Sequence, residues 1–291
     1  MKRTNVLKTY KLFINGQFPR SESGHYFQVK DPETKKILAN LARASRKDLR
    51  DAVKAARGAF PSWSGKTAYN RGQILYRIAE MLEARRTEFA EAIIASTGAK
   101  RSQADDEVSV SIDRMIWYAG WADKFSQVFS SVNPVALPYF NFTMPEAMGV
   151  VGIVAADELS LLPLVSQLAP AIVSGNTSLV LASDSFPLPA ILFAEVLATS
   201  DVPPGVINIL TGPRKELLPH LAKHMDVNAV HYVGQNSETR KLLQTEGAAN
   251  VKRIIASEKP NGDGWFSEKA QSPYLIEAFV EMKTTWHPVG T

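Results

Sequence analysis

The sequence contains no cysteine in its 291 residues. That absence removes disulfide frameworks, thiolate zinc sites, cysteine-ligated iron–sulfur clusters and every cysteine-nucleophile mechanism. No run approaches the ~18 consecutive apolar residues of a membrane span. The basic start Met1-Lys2-Arg3-Thr4 leads into no apolar stretch of the kind a secretory signal carries, so a cytoplasmic protein without membrane contact is expected. The chain also lacks a GxGxxG fingerprint, since Gly149 and Gly152 supply only part of it, and it lacks a GxSxG elbow. Gly65-Lys66-Thr67 has the end of a phosphate-binding P-loop, but Phe60 stands where the first glycine is needed, so these residues read as a surface turn. Internal repeats and low-complexity tracts are absent.

What is present describes an ordinary globular chain, with 45% hydrophobic and 21% charged residues. Lys+Arg of 33 against Asp+Glu of 29 leaves a formal charge of +4, and basic pairs such as Lys35-Lys36, Arg85-Arg86 and Lys100-Arg101 are scattered among acids. A nucleic-acid partner, which needs basic residues gathered on one face, is therefore not expected. His220 and His224 share a helix face without an acidic residue between them in the HExxH manner and read as a solvated helix end, so no metal is expected. The aromatic cluster Ile116-Trp117-Tyr118-Ala119-Gly120-Trp121 reads as helix packing.

Hydrophobic periodicity divides the chain in two. Short extended pieces, 10–14 and 26–29, flank the turn signals Asn15-Gly16 and Asp31-Pro32. Ser45 then caps a predicted helix over 46–60, one longer helix runs from Asn70 to Ser96 with Thr97-Gly98 as its stop, and a third covers 103–125. Alternation from Val135 to Met144 predicts an exposed hairpin arm. From Gly149 a regular βα alternation follows, with strands over 149–155, 178–182, 206–210 and 229–233 and helices over 161–173, 187–199, 214–224 and 237–245. Repeated βα units imply an α/β fold with a doubly wound, mainly parallel sheet whose ligands sit at the carboxyl ends of the strands. The loop Lys259-Pro260-Asn261-Gly262-Asp263-Gly264 and the amphipathic stretch 272–290 break the alternation.

Several segments, in order and spacing, resemble the NAD(P)-dependent aldehyde dehydrogenase superfamily. They are Phe13-Ile14-Asn15-Gly16, Trp117-Tyr118-Ala119-Gly120-Trp121-Ala122-Asp123, Pro145-Glu146-Ala147-Met148-Gly149-Val150-Val151-Gly152, Gly175-Asn176-Thr177, Val202-Pro203-Pro204-Gly205-Val206-Ile207-Asn208 and His224-Met225-Asp226-Val227. The stretch from Leu275 to Trp286 looks like the C-terminal segment of the same family. The resemblance implies a Rossmann-like domain over 1–255 with an oligomerisation arm at 134–148, a short linker over 256–272 in place of the family's catalytic domain, and a C-terminal oligomerisation strand segment over 273–291. This arrangement is similar to the truncated pseudo-domain of two-domain aldehyde dehydrogenases.

In the family a cysteine adds to the aldehyde and the adduct passes hydride to the nicotinamide. With no cysteine the resemblance implies a pseudoenzyme with no catalytic residue, and the remaining positions are altered as well. Glu158 stands where the family has its oxyanion Asn, a carboxylate against developing negative charge. Ser257 and Glu258 lie at the family's general base, with Glu258 beside the expected position. Cofactor contacts, if NAD or NADP binds, fall on Val154, Asp184, Gly212, Gly234 and Gln235, with Leu181 where the family has a ribose-binding Lys and Gln235 where it has a phosphate-binding Ser. The implied role is structural or regulatory assembly, as a homo-oligomer or with an active aldehyde dehydrogenase. A non-catalytic NAD(P)-binding module and an enzyme completed by a partner chain, using Glu158 or Glu258 as acid/base, are the alternatives.

Overall fold

The computed structural model describes residues 6–260 and 262–290, so the basic start over 1–4 and Asn261 of the predicted loop lie outside the described residues. β1 (Thr9–Tyr10), β2 (Tyr26–Lys30) and β3 (Ile37–Ala42) form a small sheet in the order β1-β3-β2. Five helices follow, α1 (Arg46–Ser64), α2 (Ala68–Ala84), α3 (Arg86–Thr97), α4 (Arg101–Ala119) and α5 (Phe125–Phe129). Then come β4 (Ser131–Asn133) and β5 (Tyr139–Ala147) of the arm. The βα region runs β6 (Val150–Val154), α6 (Leu162–Val173), β7 (Thr177–Leu181), α7 (Pro187–Leu197), β8 (Ile207–Leu210), α8 (Arg214–Lys223), β9 (Ala229–Val233), α9 (Ser237–Gly247) and β10 (Arg253–Ser257). Two 3-10 turns, Gly262–Trp265 and Glu268–Ala270, lead into α10 (Pro273–Glu277) and β11 (Val280–Pro288). No described helix is long and apolar enough to cross a membrane.

Strands β6 to β10 make one sheet in the order β10-β9-β6-β7-β8, and every neighbouring pair is parallel. The sheet is Rossmann-like: β6 is central, the chain winds outward through β7 and β8, and it returns to the far side of β6 for β9 and β10. All residues of β6, β7, β8 and β9 are buried, which is why these strands read as continuous apolar runs. Alternate side chains feed two cores. Val151, Ile153, Val180 and Ile209 join α2, α3, α4, α6 and α7, whereas Val154, Leu179, Leu210 and Tyr232 join α1, α8 and α9. Trp63 ties the first helix across this division: its indole is buried and donates to Ile172 O at 3.0 Å.

Local chemistry accounts for the helix ends. Ser45 and Asp48 form a capping box at the start of α1, and Gly98 closes α3 in the left-handed region at φ 74°. Gly65 and Thr67 sit in the α1–α2 turn, where Thr67 Oγ1 accepts the Asn70 N–H at 3.2 Å. The aromatic cluster packs within the helical layer, with Tyr118 buried and Trp117 edge-on to it at 4.8 Å.

Four expectations are corrected. The predicted single helix over 70–96 is two helices broken at Arg85, which has φ −108° and ψ 14°. Arg85 donates to Glu88 on α3 and to Glu195 on α7, so three elements are pinned at the kink while Leu82 and Phe89 stay buried on either side. The predicted strand over 10–14 divides: β1 stays with the small sheet, whereas Phe13 exchanges hydrogen bonds with Ile209 and extends the edge of β8. The predicted helix over 103–125 ends at Ala119, after which a turn leads to α5. The predicted hairpin is one part of a three-stranded sheet, β11-β5-β4, in which β11 pairs antiparallel with β5 from Val280↔Ala147 to Pro288↔Tyr139.

Asn176 couples the central sheet to that last strand. Its Oδ1 accepts the Gly149 N–H at 2.9 Å, and its Nδ2 donates to Ser174 Oγ at 2.8 Å and to Phe279 O at 2.7 Å, all buried. Asn176→Ala strands a buried N–H and a buried carbonyl, each worth about 1–3 kcal/mol. Thermal unfolding followed by circular dichroism is expected to show the midpoint lowered by roughly 5–10 °C.

Candidate functional site

In an open α/β sheet the ligand crevice lies outside the carboxyl ends of the strands, where the winding reverses. Here that point falls between β6 and β9. The helices that follow these strands direct their free N–H groups toward this edge, a natural place for an anion. In this chain several of those groups meet acceptors from the protein itself.

At the N-terminus of α6, the buried Glu107 of α4 brings one carboxylate oxygen to the N–H groups of Ser160, Leu161 and Leu162 at 2.9, 2.6 and 3.2 Å, and to the Ser160 hydroxyl at 3.2 Å. At α8, Asp184 Oδ1 accepts the Arg214 N–H at 3.0 Å. At α9, Asn236 Oδ1 accepts the Thr239 N–H at 2.9 Å, and the Asn236 N–H donates to the Tyr232 hydroxyl at 3.3 Å. In the turn before α7, Asp157 Oδ1 accepts from Ser183 Oγ at 2.6 Å and from the Asp184 N–H at 3.0 Å.

Arg214 gathers this edge. Its guanidinium pairs with Asp157 at 2.7 Å, donates to Ala182 O at the end of β7 at 3.1 Å, and also donates to Ala155 O beyond β6. The side chain is only 12% exposed. Burial raises the pKa of the Asp184 carboxyl above the ordinary range, Asp157 adds to the rise, and Arg214 counters it.

All the predicted cofactor positions except Gln235 have an internal task. Val154 is buried at the end of β6, and its carbonyl accepts from Gln167 Nε2 at 3.0 Å. Gly212 has φ 141°, and a Cβ there would stand 3.1 Å from Ala44 N, so this glycine serves the close approach of the β3–α1 connection. Gly234 donates to Ser257 O at 3.0 Å, and a Cβ on it would stand 2.4 Å from the Tyr232 hydroxyl. Gln235 is exposed.

The altered catalytic positions do not converge on one space. Glu158 lines a cleft of about 1040 Å³ with Asp106, Phe186 and Lys259, whereas Ser257 and Glu258 line a cavity of about 320 Å³ with His231 and Tyr274. Pro260 and Trp265 wall both. Trp265 is buried against Ala156, Leu162 and Val233, directly on the switch point, and its carbonyl accepts from Arg114 at 3.0 Å. Sequence reasoning passed over Glu107, Arg114, Arg214, Tyr232 and Trp265. The one local signal was at Arg214, a basic residue opening a helix just after Gly212-Pro213 at a strand end.

A family model described as "Aldehyde dehydrogenase family" matches residues 18–258. An aldehyde dehydrogenase of Davidiella tassiana is 31% identical over 254 residues, covering 86% of this chain and 51% of that protein. Omega-crystallin of Enteroctopus dofleini is 30% identical over 254 residues, with the same coverage of 86% and 51%. Among solved structures, the NAD+ complex of an aldehyde dehydrogenase from Bacillus cereus superposes with a TM-score of 0.82 at 28% identity, covering 88% of this chain and 52% of that one. The chain spans about half the length of the curated relatives it matches.

His231, on β9, gives this region a pH response. Its ring stands edge-on to Phe279 at 5.3 Å, its Nδ1 has no hydrogen-bond partner, and burial pushes its pKa down to about 4 from 6.5. Between pH 6.5 and 4 the unfolded chain binds a proton that the folded chain refuses, so the contribution is fully present above pH 6.5 and is lost as pH falls. A drop of this size corresponds to about 3 kcal/mol. Urea unfolding at pH 7 and pH 4.5 is expected to show a smaller loss of stability for His231→Asn than for wild type.

Proposed function

The chain belongs to the aldehyde dehydrogenase family, and on that premise we propose that it is a member without aldehyde oxidation of its own that acts as an assembly subunit. The role is docking through the β4–β5–β11 sheet onto a second copy or onto an active aldehyde dehydrogenase. The family's thiolate chemistry has no residue here to perform it, since the sequence contains no cysteine. Glu158 and Glu258, the two carboxylates nearest to the family's catalytic positions, line different cavities.

The observation that carries the assembly reading is the composition of the arm's two faces. Cross-strand partners and alternate residues share a face, so the register places Val132, Phe140 and Met144 on one side and Tyr139, Met282 and Trp286 on the other. All six are exposed. A sheet with apolar side chains bared on both faces, and with the nine-residue β11 at its edge, is built to be covered. A nucleotide-binding role without turnover is the second reading. It draws on the NAD+ complex of the Bacillus cereus protein, which shares the fold.

Light scattering coupled to gel filtration tests the assembly reading, with the chain run alone and mixed with an active aldehyde dehydrogenase from the same host. The expected result is a defined oligomer or mixed complex, reduced to monomer in Phe140→Asp/Trp286→Asp while the far-ultraviolet circular dichroism is unchanged. A monomer at tens of micromolar under both conditions overturns it. NAD(P)-dependent aldehyde oxidation by the purified chain overturns the non-catalytic part.

A further inference from the structure

We infer that the carboxyl-edge crevice is occupied by the chain itself and that the protein does not bind NAD or NADP. The occupants are Glu107, Tyr232, Trp265 and the Arg214–Asp157–Asp184 cluster. The inference does not depend on the assembly reading, because it rests only on groups at the strand ends.

A Rossmann-type sheet holds a dinucleotide by setting its pyrophosphate on the N–H groups of a helix N-terminus, with glycine giving the backbone room to approach. At α6 that anion is already present as the Glu107 carboxylate, which takes three backbone N–H groups and one hydroxyl from a buried position. A phosphate arriving there would have to break those four bonds and stand beside a buried negative charge. Glu107 is covalently part of the fold and acts at an effective concentration that a diffusing ligand has to exceed.

At α9 the glycine that should provide room does not. The space over Gly234 holds the Tyr232 hydroxyl, 2.4 Å from where a Cβ would lie, and the Gly234 and Asn236 N–H groups are spent on Ser257 O and that hydroxyl.

Among the described residues Arg214 is the most buried cation at this edge, and Arg240 of α9 also reaches it, donating to Gly234 O at 3.4 Å. Arg214 is committed to Asp157 and to two strand-end carbonyls, and with Asp157 and Asp184 the cluster carries a net charge of −1 (one Arg against two Asp). Asp184, one of the expected cofactor contacts, accepts the first N–H of α8. Trp265 completes the closure by covering Ala156, Leu162 and Val233 at the switch point itself.

The test uses the full chain and four probes, NAD+, NADH, NADP+ and NADPH, each to 5 mM, read by isothermal calorimetry and by thermal unfolding. A ligand present at a hundred times its dissociation constant raises the unfolding midpoint of a chain this size by about 5–10 °C. The expected result is no saturable heat and a shift below about 1 °C with every probe. A saturable signal with any of them overturns the inference. Hydrogen exchange on the protein without nucleotide supplies the second arm. The amides of Ser160, Leu161, Leu162 and Asn236 are expected to exchange at least about a hundredfold more slowly than unstructured amides. Exchange at the unstructured rate would mean that the internal acceptors do not hold their places, and would overturn the inference independently. Neither arm reads the oligomeric state, so failure here and failure of the assembly reading are separate results.

Discussion

The charge on Arg114 organises the second half of the molecule. The residue is 1% exposed, and among the described residues no carboxylate pairs with it. A buried cation is costly unless its donors are met. Here the two terminal nitrogens are met by Ser166 Oγ at 2.8 Å and by the carbonyls of Trp265, Ser267 and Ala270 at 3.0, 3.3 and 3.4 Å, while Nε has no partner. Those carbonyls converge because 262–270 is wound into two short 3-10 turns, whose ends leave acceptors free. The dependence is mutual: without the turns the guanidinium is unanswered, and without the guanidinium the carbonyls are. From this point Ser272 N–H reaches the Tyr118 hydroxyl at 3.4 Å, and Phe279 enters the core before β11 begins.

The same economy governs the carboxyl edge. Four helices direct their N-termini toward one region, and the aligned peptide dipoles there favour negative charge. The protein supplies it from three carboxylates, Glu107 at α6, Asp157 before α7 and Asp184 at α8, and uses the neutral Asn236 at α9. Arg214 then pairs with one of the three, Asp157, while tying the ends of β6 and β7 together. Several helix-end N–H groups at this edge are thus answered by side chains of the chain itself.

How much of this was legible in the sequence follows from the range of each interaction. The βα alternation from β6 to α9 was readable because strands buried on both faces are mostly apolar, and the cap at Ser45 was readable because its partner Asp48 lies three residues away. The break at Arg85 was not, since Ala84-Arg85-Arg86 holds neither Gly nor Pro and the apolar rhythm runs on through it. The kink is fixed by Glu195, 110 residues distant. Strand β10 was missed because it is only partly buried at the sheet edge. The candidate site was the least legible part. Glu107 acts 53 to 55 residues away and Arg114 more than 150 residues away, and no local pattern separates either from a solvated helix charge. Trp265 lies in a stretch that reads as loop, and its meaning comes only from the Val233 and Ala156 surface on which it lands.

The Arg214 cluster and the contacts that hold β11 share no residue. Strand β11 is held in register by nine pairs with β5, and its start is fixed by Asn176 on Phe279 O and by Arg253 of β10, which donates to Ala278 O at 3.2 Å and Val280 O at 2.7 Å and pairs with Glu281 at 2.9 Å. None of these groups belongs to the Arg214 cluster or to the capped helix ends. Selection acting on the crevice is thus free to exchange ligand contacts for internal ones without altering the strand that carries Met282 and Trp286. Strand β11 is therefore positioned by contacts within the chain, which is what the proposed assembly role requires.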